Sequence, residues 1–179
     1  MKRSLILGLF SMAVILFACN DKATTDSTAT TTNSADNSKE MLDNNRKVLT
    51  AIETGDSATL RQHIADDATD HGGGENGADM KGPEIVKMLA DVHNHITNLK
   101  FEVVQEAANG DHVFSLTKMT GTVKDPIWGM PAGMQCDMTS VDVIKIKDGK
   151  MVDHWSYMNP ADMMKMMPPP PPTAKTGSK

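Results

Sequence analysis

Residues 140–159 read "SVDVIKIKDGKMVDHWSYMN", and the fold turns on how this stretch pairs with itself. Two runs rich in Val and Ile flank Asp148-Gly149, a dipeptide suited to a two-residue turn with both central residues at positive φ. The pattern predicts a β-hairpin. With Lys147 opposite Lys150, the pairing runs outward as Ile146 with Met151, Ile144 with Asp153, Asp142 with Trp155 and Ser140 with Tyr157. These side chains share one face. Val143 with His154 and Val141 with Ser156 take the other, so His154 points away from Asp142 unless a bulge intervenes. Asp142 is then expected among isoleucines, a methionine and an indole, with Asp153 its diagonal neighbour at about 7 Å. Burying a carboxylate is costly unless it finds partners or takes up a proton. A carboxyl group in a dry hollow against an indole titrates nearer neutrality and can act as a general acid or base. The alternative is that sheet twist leaves Asp142 at a wet rim.

Upstream, "LKFEVVQEAANGDHVFSLTKMTGTV" (99–123) holds two more β-rich runs joined at Asn109-Gly110, another tight-hairpin signal. Helical spacing precedes them. "KEMLDNNRKVLTAIETG" (39–55) places Met41, Leu42, Val48, Leu49 and Ile52 at near-helical intervals before Gly55. "DSATLRQHIADD" (56–67) predicts a second short helix, capped by Asp56 or Ser57, with Leu60 and Ile64 four apart. After a loop rich in Gly, Asn and Asp, Pro83 opens a third helix that carries Ile85, Met88, Leu89 and Val92 on one face. Helices first and an antiparallel meander second make an α+β domain, with N-terminal helices packed on a strongly curved antiparallel sheet.

The two ends lie outside that domain. Residues 1–18 combine Lys2 and Arg3 with the apolar run "LILGLFSMAVILFA", which has signal-peptide length. The run closes in "LFAC", which resembles a bacterial lipobox and so implies cleavage before Cys19 and lipidation (palmitate-type acylation) of that cysteine; the alternative is an ordinary secretory signal. Residues 19–40 are a lipidated Cys and a disordered Thr/Ser/Ala/Asn tether, reaching on the order of 25 Å as a random coil. The domain spans 41–159, and 160–179 form a Met/Pro-rich disordered tail. The expected location is the cell envelope, lipid-anchored to the membrane on a periplasmic or surface face. A net charge of −5 leaves no basic footprint for nucleic acid. With Cys19 assigned to lipid, Cys136 stands alone and no internal disulfide is expected.

Taken together, "TGDSATLRQHIADDATDHG", "KGPEIVKML", "GTVKDPIWGMPAG" and "VDVIKIKDGKMVDHW" resemble the SnoaL-like polyketide cyclase family of the nuclear transport factor 2-like superfamily. The most specific part is the hairpin from Asp142 to Trp155, with its run of Asp, apolar residues, "DGK" and acidic-His-Trp. The resemblance implies a cone-shaped α+β barrel closed around a pocket, a homodimer, and acid-base chemistry on small carbon skeletons with no metal or organic cofactor. It assigns the acid-base role to Asp142 and points His71 towards the pocket mouth. Val123 stands where cyclase-like members often carry a histidine, so a His-Asp couple is not supplied from there.

Trp155, Trp128, Ile144, Asp153 and Tyr157 are the expected ligand-binding residues, and Asp142 with His71 the catalytic pair. "HNH" at 93–95 has the look of a metal site, but a two-residue spacing at a helix end is poor ligand geometry and no metal site is assigned. Met130, Met134, Cys136 and Met138, with the methionines of "DMMKMM" (162–167), are soft ligands suited to Cu(I), or else gap-filling side chains. Two functions stand side by side. One is a cofactor-free isomerase, cyclase or hydrolase acting on a small apolar molecule. The other is a binding or protein-interaction module without turnover.

Overall fold

The computed structural model describes residues 31–166, with side chains from residue 37; the leader, Cys19 and the end of the Met/Pro tail lie outside them. Three helices are laid against one six-stranded sheet, and a short fourth follows the last strand. Helix α1 (Thr31–Thr54) leads into α2 (Ser57–His63), strands β1 (Ile64–Asp70) and β2 (Met80–Lys81), and α3 (Gly82–His95). Strands β3 (Ile96–Asn109), β4 (His112–Val123), β5 (Gln135–Lys147) and β6 (Lys150–Met158) follow, then α4 (Pro160–Met166). The sheet order is β2-β1-β6-β5-β4-β3.

Local chemistry accounts for most of the boundaries. Asp56 caps α2, its Oδ1 accepting from the backbone N–H of Ala58 at 3.0 Å and Thr59 at 3.1 Å. Glu84 reaches back to the Lys81 N–H at 3.3 Å at the start of α3, where Pro83 needs no donor. Gly82 lets that helix begin against β1, because a Cβ there would run into the carbonyls of Ala65 and Asp66. Leu60, Ile64, Ile85, Val92, Ile96 and Val123 are buried between the helices and the inner face of the sheet. Burying large aliphatic side chains at about 25 cal/mol per Å² is the main force holding the layers together.

The fold differs from expectation in several places. The second helix stops at His63, since Ile64 has extended backbone (φ −114, ψ 128) and starts β1. That strand pairs in parallel with β6, so the sheet is mixed, curled and not closed, in place of a purely antiparallel one. Helix α1 begins at Thr31, within the stretch expected as tether. In the expected tail, α4 is capped by Asn159, whose Oδ1 accepts from the Ala161 N–H at 2.9 Å. The hairpin expected at Asn109-Gly110 turns one residue later, with Asn109 opposite His112.

The opening hairpin carries the most consequential difference. Its turn is as expected, with Lys147 opposite Lys150 and Asp148 and Gly149 at φ 52 and 76. Beyond Ile146–Met151 the register shifts, so that Lys145 faces Asp153, Ile144 faces His154, Val143 faces Trp155 and Asp142 faces Ser156. Val152 is the extra residue. A one-residue bulge sends every later side chain of β6 to the opposite face. His154, Ser156 and Met158 therefore point inward; Asp153, Trp155 and Tyr157 point outward, and Tyr157 is 61% exposed.

Candidate functional site

Between the inner face of the sheet and helices α1 and α3 lies a cavity of about 400 Å³, within the range of small-molecule sites. Its helical side is mostly apolar, built from Val48, Leu49 and Ile52 of α1 and Ile85, Met88 and Leu89 of α3, with Asn45 beside them. Phe101, Met119, Met138 and Met151 continue that surface along the sheet, and Trp128 reaches it from the β4–β5 loop. Met166 of α4 also lines the cavity, and α4 is tied to β5 through the Thr139 N–H, which donates to Asp162 at 3.4 Å.

One part of the sheet floor is polar. Glu106, Ser115, Asp142 and Ser156 lie in register across β3, β4, β5 and β6. The next row brings Ile144 of β5, His154 of β6 and Asp70 of β1 together. Strand periodicity points all of these inward, and the Val152 bulge puts His154 among them. Its Nδ1 bonds Asp70 Oδ1 at 2.8 Å, and its Nε2 lies 3.6 Å from Asp142 Oδ1, an ion-pair contact too long for a direct hydrogen bond. Ser140 Oγ donates to the other Asp142 oxygen at 3.1 Å. Gly73 lies directly against the Asp70 carboxylate. Glu106 is neutralised from α1, by an ion pair with Arg46 and an Asn45 contact at 3.5 Å.

Asp142 is thus partnered by an imidazole and a hydroxyl, and the indole expected beside it lies on the opposite side of the sheet. Burial by itself pushes the His154 ring down, but the two carboxyl groups beside it, Asp142 and Asp70, outweigh it and raise its pKa to about 9. The site is a half-buried imidazole, favoured in its protonated form, between two carboxyl groups.

The outer face repeats the arrangement. His71 stacks on Trp155 with ring centroids 4.6 Å apart and 9° between planes. Its Nε2 bonds Asp153 at 2.9 Å, and its Nδ1 is 3.5 Å from Asp79. Of the three Asp-His dipeptides in the chain, two, 70–71 and 153–154, lie on neighbouring parallel strands. Each aspartate pairs with the histidine of the other strand, one couple inside the sheet and one outside.

Of the residues singled out from sequence, Asp142, Ile144 and Trp128 line the cavity. His71, Asp153, Trp155 and Tyr157 are on the far side of the sheet, the first three joined to one another. Asp70 and His154 are absent from that set, and the Asp-His dipeptide that marks both is a weak signal, since it also occurs at 111–112 away from the cavity. The sulfur cluster belongs to the core: Met130 is 0% and Cys136 4% exposed, and the Cys136 thiol donates to the Met130 sulfur at 3.6 Å. Burial pushes that thiol up, away from the thiolate a soft metal needs. The "HNH" histidines serve the end of α3, His93 bonding the Ala90 carbonyl at 2.8 Å and His95 bonding Asp91 at 3.1 Å.

Comparison with known proteins agrees with this architecture. IdmH from Streptomyces antibioticus is similar at 23% identity, over 70% of this chain and 96% of its own, with a TM-score of 0.59. A SnoaL-like polyketide cyclase from Agrobacterium tumefaciens matches at 14% identity over 70% and 95%, with a TM-score of 0.59. An LEH-like epoxide hydrolase from Mycobacterium tuberculosis matches at 16% identity over 73% and 91%, also with a TM-score of 0.59. At such identities the likeness is one of fold. No curated protein matches the chain. The family model for SnoaL-like polyketide cyclases covers residues 42–167, and the chain belongs to that family.

Proposed function

We propose that the chain is a lipid-anchored protein of the cell envelope whose SnoaL-like domain binds a small, mostly apolar molecule and moves a proton on it without a cofactor. The leader and the "LFAC" motif at Cys19 support the anchor. A histidine held between two carboxylates on the wall of a mostly apolar cavity is the observation that carries the chemistry. Asp142 takes the proton, since its carboxylate accepts a hydrogen bond from Ser140 alone among its direct contacts and has acceptor positions to spare. His154 keeps one N–H on Asp70 and aims the other along the cavity wall at Asp142, where its charge steadies the anion left on the bound molecule. Asp70 fixes the ring and holds it protonated.

The test is proton exchange in heavy water. The full chain is incubated with a panel of apolar ketones, esters and epoxides, and α-proton loss or ring opening is followed by NMR. Asp142→Asn abolishes turnover while circular dichroism shows an intact fold; turnover unchanged in the variant removes the acid-base reading. Binding without turnover is the second reading, because the same imidazole also serves simply to neutralise the buried Asp70 and the half-buried Asp142. It predicts a ligand that co-purifies and stays chemically unaltered. The homodimer implied by the resemblance belongs to the same proposal. Phe114, Val143 and Trp155 lie in register on the outer face, with Leu116, Val141 and Tyr157 in the next row, and a second copy laid there would cover them. Light scattering on Tyr157→Glu checks it, with a monomer expected.

A further inference from the structure

We propose that this cavity selects its occupant by charge, taking an apolar molecule whose polar end donates a hydrogen bond, a protonated amine before an alcohol, and rejecting a carboxylate. The inference rests on the reading of the cavity as a ligand site and goes on to say which chemical class fills it. Among the described residues no Lys or Arg lines the cavity; its charged wall is Asp70, Asp142 and His154. Two carboxylates against one imidazole leave a net negative wall whichever form the imidazole takes. Arg46, the nearest cation on α1 in sequence to the lining residue Asn45, is held on Glu106.

Hydrogen bonding leads the same way. The histidine has committed Nδ1 to Asp70, whereas Asp142 has one direct donor, Ser140. A carboxylate has about four lone-pair positions, so Asp142 can accept from a ligand without breaking what it already makes. Ser115 and Thr117, the neighbouring inner-face hydroxyls on β4, bond one another at 2.9 Å. An anionic headgroup would therefore meet like charge in surroundings of low polarity, where repulsion is screened least. The polar floor and the apolar helical wall face each other, so the ligand lies head to the sheet and tail to α1 and α3.

Decylamine, decanol and decanoate, near pH 7.5, carry one tail and three head charges and so isolate the headgroup. Isothermal titration with the full chain is expected to rank them amine, alcohol, acid, with roughly tenfold or more in Kd between the ends, the scale of one charge-assisted hydrogen bond. Asp142→Asn compresses that order by letting the acid in, and His154→Gln, which removes the sole cation of the wall, widens it. These opposite shifts exclude a general loss of fold as the cause. Because the whole chain carries a net charge of −5, the titration is repeated at about 0.5 M NaCl, which screens surface attraction but not a pair inside the cavity. An order that collapses in salt, or a carboxylate that binds as well as the amine, overturns charge selection while leaving a ligand site. Failure of all three probes to bind removes the ligand-site reading and the inference with it.

Discussion

Replacing His154 with Gln tests the electrostatics of the site, and its magnitude follows from the folded-state titration. The ring's pKa rises from 6.5 to about 9 on folding, and at about 1.36 kcal/mol per unit this is on the order of 3 kcal/mol. The sign follows from linkage. A histidine whose pKa is raised on folding stabilises the protein fully below its unfolded value, and that contribution is lost as pH rises through the folded value. The window is therefore pH 6.5 to 9. Wild-type protein should lose about 3 kcal/mol across it from this one group, a fall of roughly 10 °C in Tm for a domain of this size. In His154→Gln the slope should flatten, and at pH 6.5 the variant should be the less stable by a similar amount, since Asp70 and Asp142 lose the cation between them.

Two other groups bracket the window without entering it. Burial pushes His63 down, so it titrates on the acid side, and burial pushes Cys136 up from 9.0, so it titrates on the alkaline side. Chemical denaturation at pH 6.5, 7.5 and 9 then isolates the histidine. Parallel stability curves for wild type and variant would refute a charged, ion-paired His154.

Gly73→Ala places a methyl group against the Asp70 carboxylate; the loop or the carboxylate must shift, so amine-probe affinity should drop at least tenfold with a smaller loss of Tm, measured on the same preparation. His71→Ala removes the stack on Trp155 and the bond to Asp153, and should cost about 1–2 kcal/mol in urea denaturation with cavity probes bound as before; lost probe binding at an unchanged Tm would show that the outer couple belongs to the site. Cys136, 4% exposed, should resist a thiol reagent in the native state and react on unfolding, as peptide mass mapping would show.

Much of the architecture is legible before any coordinate. Asp148-Gly149, Pro83 and Gly55 act through φ and missing donors, which are properties of single residues, and the features they announce are where the sequence places them. The cavity is legible in part. Asp142 and Ile144 face it because they lie on β5, whose pairing with β4 is unbroken from His112–Lys145 to Thr122–Gln135. Strand β1 is not legible. "IADDATD" carries three aspartates and one large aliphatic residue, a composition that strand formation disfavours. It becomes a strand through tertiary contacts, with Ile64 and Ala68 in the core and Asp70 under His154.

That hidden strand decides which histidine enters the cavity. Counting outward from a two-residue turn assigns faces correctly only while neither strand gains a residue, and Val152 is a gained residue. Nothing within the hairpin calls for the bulge. The reason lies on β1, where Asp70 offers a second carboxylate on the inner face, opposite His154. Without the bulge His154 would turn outward, and Asp70 and Asp142 would share the hollow with no cation, an arrangement costing on the order of 3–5 kcal/mol. With it, His154 lies between both, and the outward-turned Asp153 and Trp155 take up His71 from the neighbouring strand. The Asp-His dipeptides at 70–71 and 153–154 are equivalent as letters. They acquire opposite roles because the Val152 bulge turns His154 inward while His71 stacks on Trp155 outside, so a histidine assigned to the site from the chain alone is His71 or His154 with little to separate them until the parallel pairing of β1 with β6 is known.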